Sequence, residues 1–233
     1  MIQTKKITAR YFLFDYDGTI CNTFPTMNFA LAQTFAAYQV KVPDEQERLK
    51  AISAGLTLHE TIKLLHPDAA LLNQSEMDAM IKTYRQLYMD VDEQLTVLFD
   101  GTMAVFNHLK GLEKKIVVLS NKGIAAVERS LQFHGLFNLA DLIVAEGILP
   151  ELKLKAKPDP MMYEAIISRH FNIANRQEVL MTGDTHADIL FAKNCGLTSC
   201  WAAYGYGKRS ACEALHPDYT IQQISELLEM VTE

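Results

Sequence analysis

The sequence predicts an α/β protein, a doubly wound parallel sheet with a block of helices inserted after its first strand. Three observations carry this. Short apolar runs suited to strands buried on both faces recur along the chain, each ending in or near polar residues. From Phe99 onward these runs alternate with stretches of helical spacing, as the crossovers of a parallel sheet require. Between 21 and 96 the strand runs vanish and helix follows helix.

The first strand is Tyr11-Phe12-Leu13-Phe14, with Asp15 and Asp17 standing two residues apart at its end. Side chains of an extended chain alternate faces, so the two carboxylates point the same way if strand geometry persists that far. Gly18 permits the sharp exit that a residue with a Cβ would resist. Carboxylates held this close repel, and a cation or a shared proton relieves them. A hard, oxygen-seeking ion such as Mg²⁺ is the natural partner. Asp and Gly are also ordinary turn formers, so this segment alone equally describes an acidic strand end.

Four helices follow, at 25–38, 44–52, 57–65 and 75–88. Pro43-Asp44, and Ser75 with the acidic residues after it, are start signals for two of them. His59 and Lys63 lie one turn apart on one helix face, where they either meet an anionic group of a ligand or form a solvated surface. Met27, Met77, Met80 and Met89 read as core filler, and Tyr84 and Tyr88 as a packed pair.

The second strand, 115–119, ends at Ser120-Asn121, and helical spacing at Ile124, Val127 and Leu131 marks a helix over 123–134. Ser120 and the neighbouring N–H groups thus sit at a strand-to-helix junction, which either holds an anion or simply caps the helix. A third strand, 142–145, completes the interval to Lys157 and leaves no room there for a second large insertion. Lys157 precedes Pro158 and Pro160, which stiffen the approach to a helix over 161–171; the lysine is either a ligand or a solvated loop residue. The fourth strand, 179–182, runs into Gly183-Asp184, and Asp188 falls in the first turn of the next helix, where a carboxylate also complements the helix dipole. Tyr204-Gly205-Tyr206-Gly207 reads as a loop near the site. Strand ends on one edge of such a sheet gather the chemistry of α/β proteins, so these distant segments are expected to form one site.

Four of the segments, Asp15-Tyr16-Asp17-Gly18-Thr19-Ile20, Ser120-Asn121, Lys157-Pro158 and Gly183-Asp184 with Asp188, resemble in order and spacing the signature motifs of the haloacid dehalogenase superfamily. The likeness spans Tyr11 to about Gly207, and the tail Pro217-Asp218-Tyr219-Thr220-Ile221 with its amphipathic helix resembles phosphoglycolate-phosphatase-like members. The resemblance implies a Rossmann-like catalytic core at 1–20 and 97–233 and an α-helical cap domain at 21–96 that closes as a lid. It implies Asp15 as nucleophile, Asp17 as general acid/base, and Ser120, Asn121 and Lys157 as phosphate ligands. Asp15, Asp17, Asp184 and Asp188 are implied around Mg²⁺. The cap loop of related phosphatases contributes to substrate choice, which makes His59 and Lys63 candidate substrate contacts.

The reaction so implied is Mg²⁺-dependent hydrolysis of a small, phosphoglycolate-like phosphomonoester through an aspartyl-phosphate on Asp15. Lys157 would also keep Asp15 ionised. Dehalogenases and phosphonatases of the superfamily lack the second aspartate, so Asp17 favours phosphate esters. A phosphosugar mutase of the same fold is the alternative, although the 55–63 stretch offers little to bind a sugar diphosphate. A non-catalytic regulatory member is the third reading, against which the intact Asp15, Asp17, Lys157 and Asp184 stand.

Composition bounds the partners. The chain has 233 residues, 49% of them hydrophobic, enough for a substantial core. A net charge of −6 argues against nucleic acid. Lys5, Lys6 and Arg10 precede only the four apolar residues Tyr11–Phe14, too short for a signal-peptide core. No stretch approaches the roughly 18–20 apolar residues of a membrane helix. Cys21, Cys195, Cys200 and Cys212 show neither a C-x-x-C pair nor zinc-like spacing, and read as reduced thiols of a cytoplasmic protein. The expected partner is a small phosphate ester, met by a monomer or homodimer.

Overall fold

The structure, a computed structural model, describes residues 6–232; Lys5 lies outside the described residues. Strand β1 (Tyr11–Phe14) leads through the two-residue β2 (Cys21–Asn22) into helices α1 (Phe24–Ala37), α2 (Glu45–Ser53), α3 (Leu58–Leu65) and α4 (Gln74–Leu95), after which β3 (Val97–Leu98) returns. The remainder alternates: α5 (Thr102–Gly111), β4 (Lys115–Gly123), α6 (Ile124–Phe133), β5 (Leu142–Glu146), α7 (Ser168–Phe171), β6 (Val179–Gly183), α8 (His186–Cys195), β7 (Thr198–Ala202), α9 (Arg209–Glu213), β8 (Tyr219–Ile221) and α10 (Leu227–Met230). The expected α/β class and its doubly wound sheet are what the chain forms.

Six strands pair in parallel in the order β5-β4-β1-β6-β7-β8. The order runs outward from β1 in both directions, so the crevice beyond the carboxyl end of β1 is the switch point of the sheet. All four β1 residues are buried because both faces are covered. Phe12 and Phe14 pack with Val105, Phe106 and Leu109 of α5 and Val127 and Leu131 of α6. Tyr11 and Leu13 point the other way, toward Tyr163, Ile167 and Phe191. The period of two thus sends alternate residues into two separate clusters, which is why the strand reads as continuously apolar.

The four inserted helices form their own apolar clusters. Leu31, Ile52, Tyr84 and Tyr88 make one, and Phe35, Ile62, Met77 and Met80 the other. Capping boxes start three of the helices: Asp44 with Glu47, Thr57 with Glu60, and Asn73 with Glu76. The last helix therefore begins at Gln74, capped by Asn73, and it runs beyond the expected end at Tyr88 to Leu95, since neither Gly nor Pro interrupts the stretch. Antiparallel pairing of β2 with β3, Cys21 with Leu98 and Asn22 with Val97, ties the two ends of this segment together. Strands of two residues carry no periodicity, and the sequence gives no sign of this ribbon. The helix expected over 161–171 forms, but Tyr163–Ile167 is wound as a wider π turn before α7.

Candidate active site

The carboxyl ends of β1, β4 and β6 lie side by side and deliver the motif residues to one place. Asp15 follows β1 directly, and its N–H donates to the Thr182 carbonyl of β6 at 2.9 Å. Lys157 reaches in from the loop after β5. Its ammonium donates to Asp15 Oδ1 at 2.5 Å, to Asp188 Oδ1 at 2.6 Å and to the Leu119 carbonyl at 3.1 Å. Asn121 fixes the backbone of that lysine, accepting from the Lys157 N–H at 2.8 Å and donating to its carbonyl at 3.2 Å. Ser120 is buried beside them, and its hydroxyl accepts from the Lys122 N–H at 3.2 Å.

Asp184, at the end of β6, is fully buried. Its Oδ2 accepts from the Tyr206 N–H at 2.7 Å and its Oδ1 from the Thr19 hydroxyl at 3.3 Å. The chain closes around it so tightly that glycine is required nearby. Gly18 has φ +78°, and a Cβ there would come within 2.4 Å of Asp184 Oδ2; a Cβ on Gly205 would lie 2.3 Å from that of Asp184. Asp188, in the first turn of α8, accepts through Oδ2 from both the N–H (3.0 Å) and the hydroxyl (2.7 Å) of Thr185.

Oxygens of Asp15, Asp184 and Asp188 lie within 4.8 Å of one another, all in buried residues. Burial, reinforced by the other carboxylates, raises Asp15 and Asp184 well above the usual carboxylate range, Lys157 only partly offsetting it. Burial would lower Lys157, yet Asp15 and Asp188 reverse this and hold it above its ordinary value. Were all three carboxylates ionised, one ammonium would leave two negative charges without compensation, and an all-oxygen donor set fits a hard divalent cation. The structure does not bring the Asp17 side chain into this group. Asp17 lines the neighbouring cavity and accepts from the Lys122 ammonium at 2.9 Å.

Above the carboxylates lies a cavity of about 400 Å³, bounded by the inserted helices on one side and the sheet edge on the other. Asp15, Ser120, Asn121, Lys157 and Asp188 line its floor, and Gly123 to Ala125 bring the start of α6 to it, where unpaired N–H groups favour an anion. His59 and Lys63 are exposed and do not line it. Helix α3 buries Thr61 and Ile62, and its apolar stripe turns those two side chains to solvent. Tyr84, Tyr88 and Met27 line the cavity as well as packing within the insert; Met89, expected as core filler, is a half-buried residue of the cavity wall, whereas Met77 and Met80 are core filler.

Several residues here were not singled out from sequence. Lys122 pairs with Asp17 while its ammonium sits 3.9 Å from the centroid of the Tyr88 ring. Arg85 and Glu146 pair at 2.6 Å, half-exposed, with both lining the cavity. The loop after β7, expected near the site, does lie beside it, with contacts the sequence did not specify: Tyr204 donates its hydroxyl to the Thr19 carbonyl at 2.7 Å, and the Tyr206 N–H holds Asp184. The two glycines interleaved with these tyrosines were the available sign of a close backbone approach. Cys21 is completely buried, and desolvation pushes its thiol up to about 12, so it packs as a small apolar side chain. No helix among the described residues is long and apolar enough to cross a membrane.

Residues 12–202 match the family described as haloacid dehalogenase-like hydrolase, and the chain belongs to that family, an enzyme of the hydrolase class. Pyrophosphatase PpaX of Bacillus cereus (strain ATCC 10987 / NRS 248) is 25% identical over 221 residues, which cover 95% of each chain. Among solved structures, that of a predicted phosphoglycolate phosphatase from Haemophilus somnus 129pt superposes with a TM-score of 0.82 at 19% identity, covering 95% of this chain and 97% of that one. CbbY from Rhodobacter sphaeroides, solved in complex with phosphate, superposes with a TM-score of 0.79 at 20% identity over 94% of this chain and 96% of its own.

Proposed function

We propose that this protein is a Mg²⁺-dependent phosphomonoesterase that hydrolyses a small phosphorylated metabolite through an aspartyl-phosphate on Asp15. The observation that carries the reading is the position of Lys157, bonded to both Asp15 and Asp188 on the cavity floor, with Asp184 beside them and the start of α6 close by. A cation held by Asp15 and Asp184 would screen the charge of the phosphoryl group and so admit an anionic nucleophile. Asp188 has both oxygens engaged by Lys157 and Thr185, and its part is to hold the lysine in place.

The chain's own groups supply the remaining steps. Ser120, Lys157 and the N–H groups at the start of α6 take phosphoryl oxygens, which orients phosphorus toward Asp15. Asp15 attacks in line, its bond to phosphorus forming as the bond to the ester oxygen breaks. Asp17 gives a proton to the departing alkoxide, then takes one from the water that cleaves the acyl phosphate; general acid/base help of this kind is worth about 10²–10⁴-fold. The helical segment tied off by β2 and β3 is the lid, shielding the acyl phosphate from bulk solvent and choosing the ester. The four free thiols, all buried, accord with a reducing, cytoplasmic setting.

The similarity to proteins named pyrophosphatase and phosphoglycolate phosphatase supports phosphoryl chemistry here. Steady-state assays of a phosphate-ester panel test the proposal, with Mg²⁺ or with excess EDTA. Turnover in Mg²⁺ that EDTA abolishes is expected; undiminished turnover in EDTA would refute the metal-dependent mechanism.

A further inference from the structure

We infer that the ester group this site accepts is an uncharged, ring-bearing apolar body and not a second anion such as a carboxylate or phosphate. This inference rests on the phosphomonoesterase reading and names its substrate class. The cavity volume falls within the roughly 300–1,000 Å³ typical of sites that enclose small organic ligands, so it holds far more than a phosphoryl group. Above the polar floor its walls are Leu31, Ile52, Leu58, Tyr84, Tyr88 and Met89. The rings of Tyr84 and Tyr88 lie 6.1 Å apart, tilted by 37°, an arrangement that offers aromatic surface to a third ring.

A second anion would find no uncommitted cation in this lining. Lys157 is bound by Asp15 and Asp188, Arg85 by Glu146 and Lys122 by Asp17. The Lys122 ammonium is doubly engaged, since the Tyr88 ring lies 3.9 Å from it. To meet a ligand's carboxylate, Lys122 would have to release Asp17, the residue proposed to handle the leaving-group proton. His59 and Lys63, the expected contacts for an anionic group, are outside the cavity. Away from the floor, whose charges face the cation and the phosphoryl group, the charged side chains of the lining are paired one to one, Asp17 with Lys122 and Glu146 with Arg85, so none is left over to favour further negative charge. A charged tail buried against leucine, isoleucine and methionine would lose its hydration without a partner.

The test measures binding separately from chemistry. Calorimetric titration of the full chain in Mg²⁺ with two unreactive phosphonates, 2-naphthylmethylphosphonate and 3-phosphonopropionate, compares a ring with a second anion. The naphthyl compound is expected to bind at least about tenfold more tightly, the gain from burying a few additional apolar carbons. Equal or tighter binding of the propionate would overturn the inference. Met89→Lys, a change at a half-buried wall position, is expected to shrink the ratio by about tenfold; an unchanged ratio in a variant with wild-type circular dichroism would also overturn it. If no phosphomonoester is hydrolysed, the phosphatase reading fails on its own, because the phosphonate titrations still report what the chamber prefers.

Discussion

Tyr206 joins Asp184 to the first inserted helix. Its backbone N–H donates to Asp184 Oδ2 at 2.7 Å, and its hydroxyl accepts from the N–H groups of Thr23 and Phe24 at 2.7 and 2.9 Å while donating to Asn22 Oδ1 at 2.9 Å. No side chain of α1 itself caps that helix, so a residue from the core supplies the cap. Tyr206→Phe would leave two partly buried donors without this acceptor, and should lower the unfolding free energy by about 1–3 kcal/mol. Urea denaturation measures it; a wild-type midpoint would show that the start of α1 needs nothing from this loop.

The pairing of Lys122 with Asp17 makes a kinetic prediction. Asp17→Asn should cost about 10²–10⁴-fold on alkyl phosphates, whose leaving groups need a proton, and distinctly less on aryl phosphates. Lys122→Met, which removes the ammonium holding Asp17, should show the same dependence on leaving group with a smaller loss, about tenfold. Equal losses across leaving groups of very different pKa would contradict the role proposed for Asp17.

How far the sequence could be read depended on the range of the interactions involved. Strand β1 was legible to the residue because burial on both faces produces an unbroken apolar run between polar boundaries, and β6 was read to within one residue. The approach of Asp15, Ser120, Lys157 and Asp184 followed from strand ends converging on one edge of the sheet. Boundaries set by local chemistry were less secure: α4 begins at Gln74 behind Asn73, an equally good cap two residues before Ser75. His59 and Lys63 share a helix face, but which face meets the cavity is decided by packing against α1 and α4, and periodicity alone offers no direction. Lys122 with Asp17 and Tyr206 with the start of α1 join residues 105 and 183 or so positions apart, and no local pattern marks such pairs.

A structural carboxylate away from the site gives a pH signature. Burial would raise Asp141, but the Ile116 N–H, Lys110 and Lys115 donate to it and hold it below the usual range. A carboxylate depressed in the folded state stabilises above its unfolded pKa, near about 4, and that stability is lost as pH falls through the folded value. Asp141→Asn should therefore destabilise by about 1 kcal/mol at neutral pH, allowing for solvent screening of the lysines, and the gap should close under acid conditions. Unfolding curves at neutral and acid pH measure it; a gap that persists below the folded pKa would assign the effect to shape instead of charge.

The metal proposal has a readout independent of turnover. If Asp15 and Asp184 take up Mg²⁺, the ion should raise the thermal midpoint, by the equivalent of about 2.7 kcal/mol at a hundredfold excess over Kd. Asp184→Asn should lose this response while gaining stability without metal, since one of the repelling carboxylates is gone. A Mg²⁺ response undiminished in that variant would place the ion elsewhere.

The most direct test of the account is to find the phosphoryl group on Asp15 itself. Asp17→Asn should retain attack on an aryl phosphate and hydrolyse the acyl phosphate slowly, so the covalent enzyme accumulates. Acid quench followed by peptide mass spectrometry should locate one added phosphoryl group on Asp15, absent from the double variant that also carries Asp15→Asn. Turnover by Asp15→Asn at the wild-type rate, or a phosphoryl group found on any other residue, would contradict the mechanism.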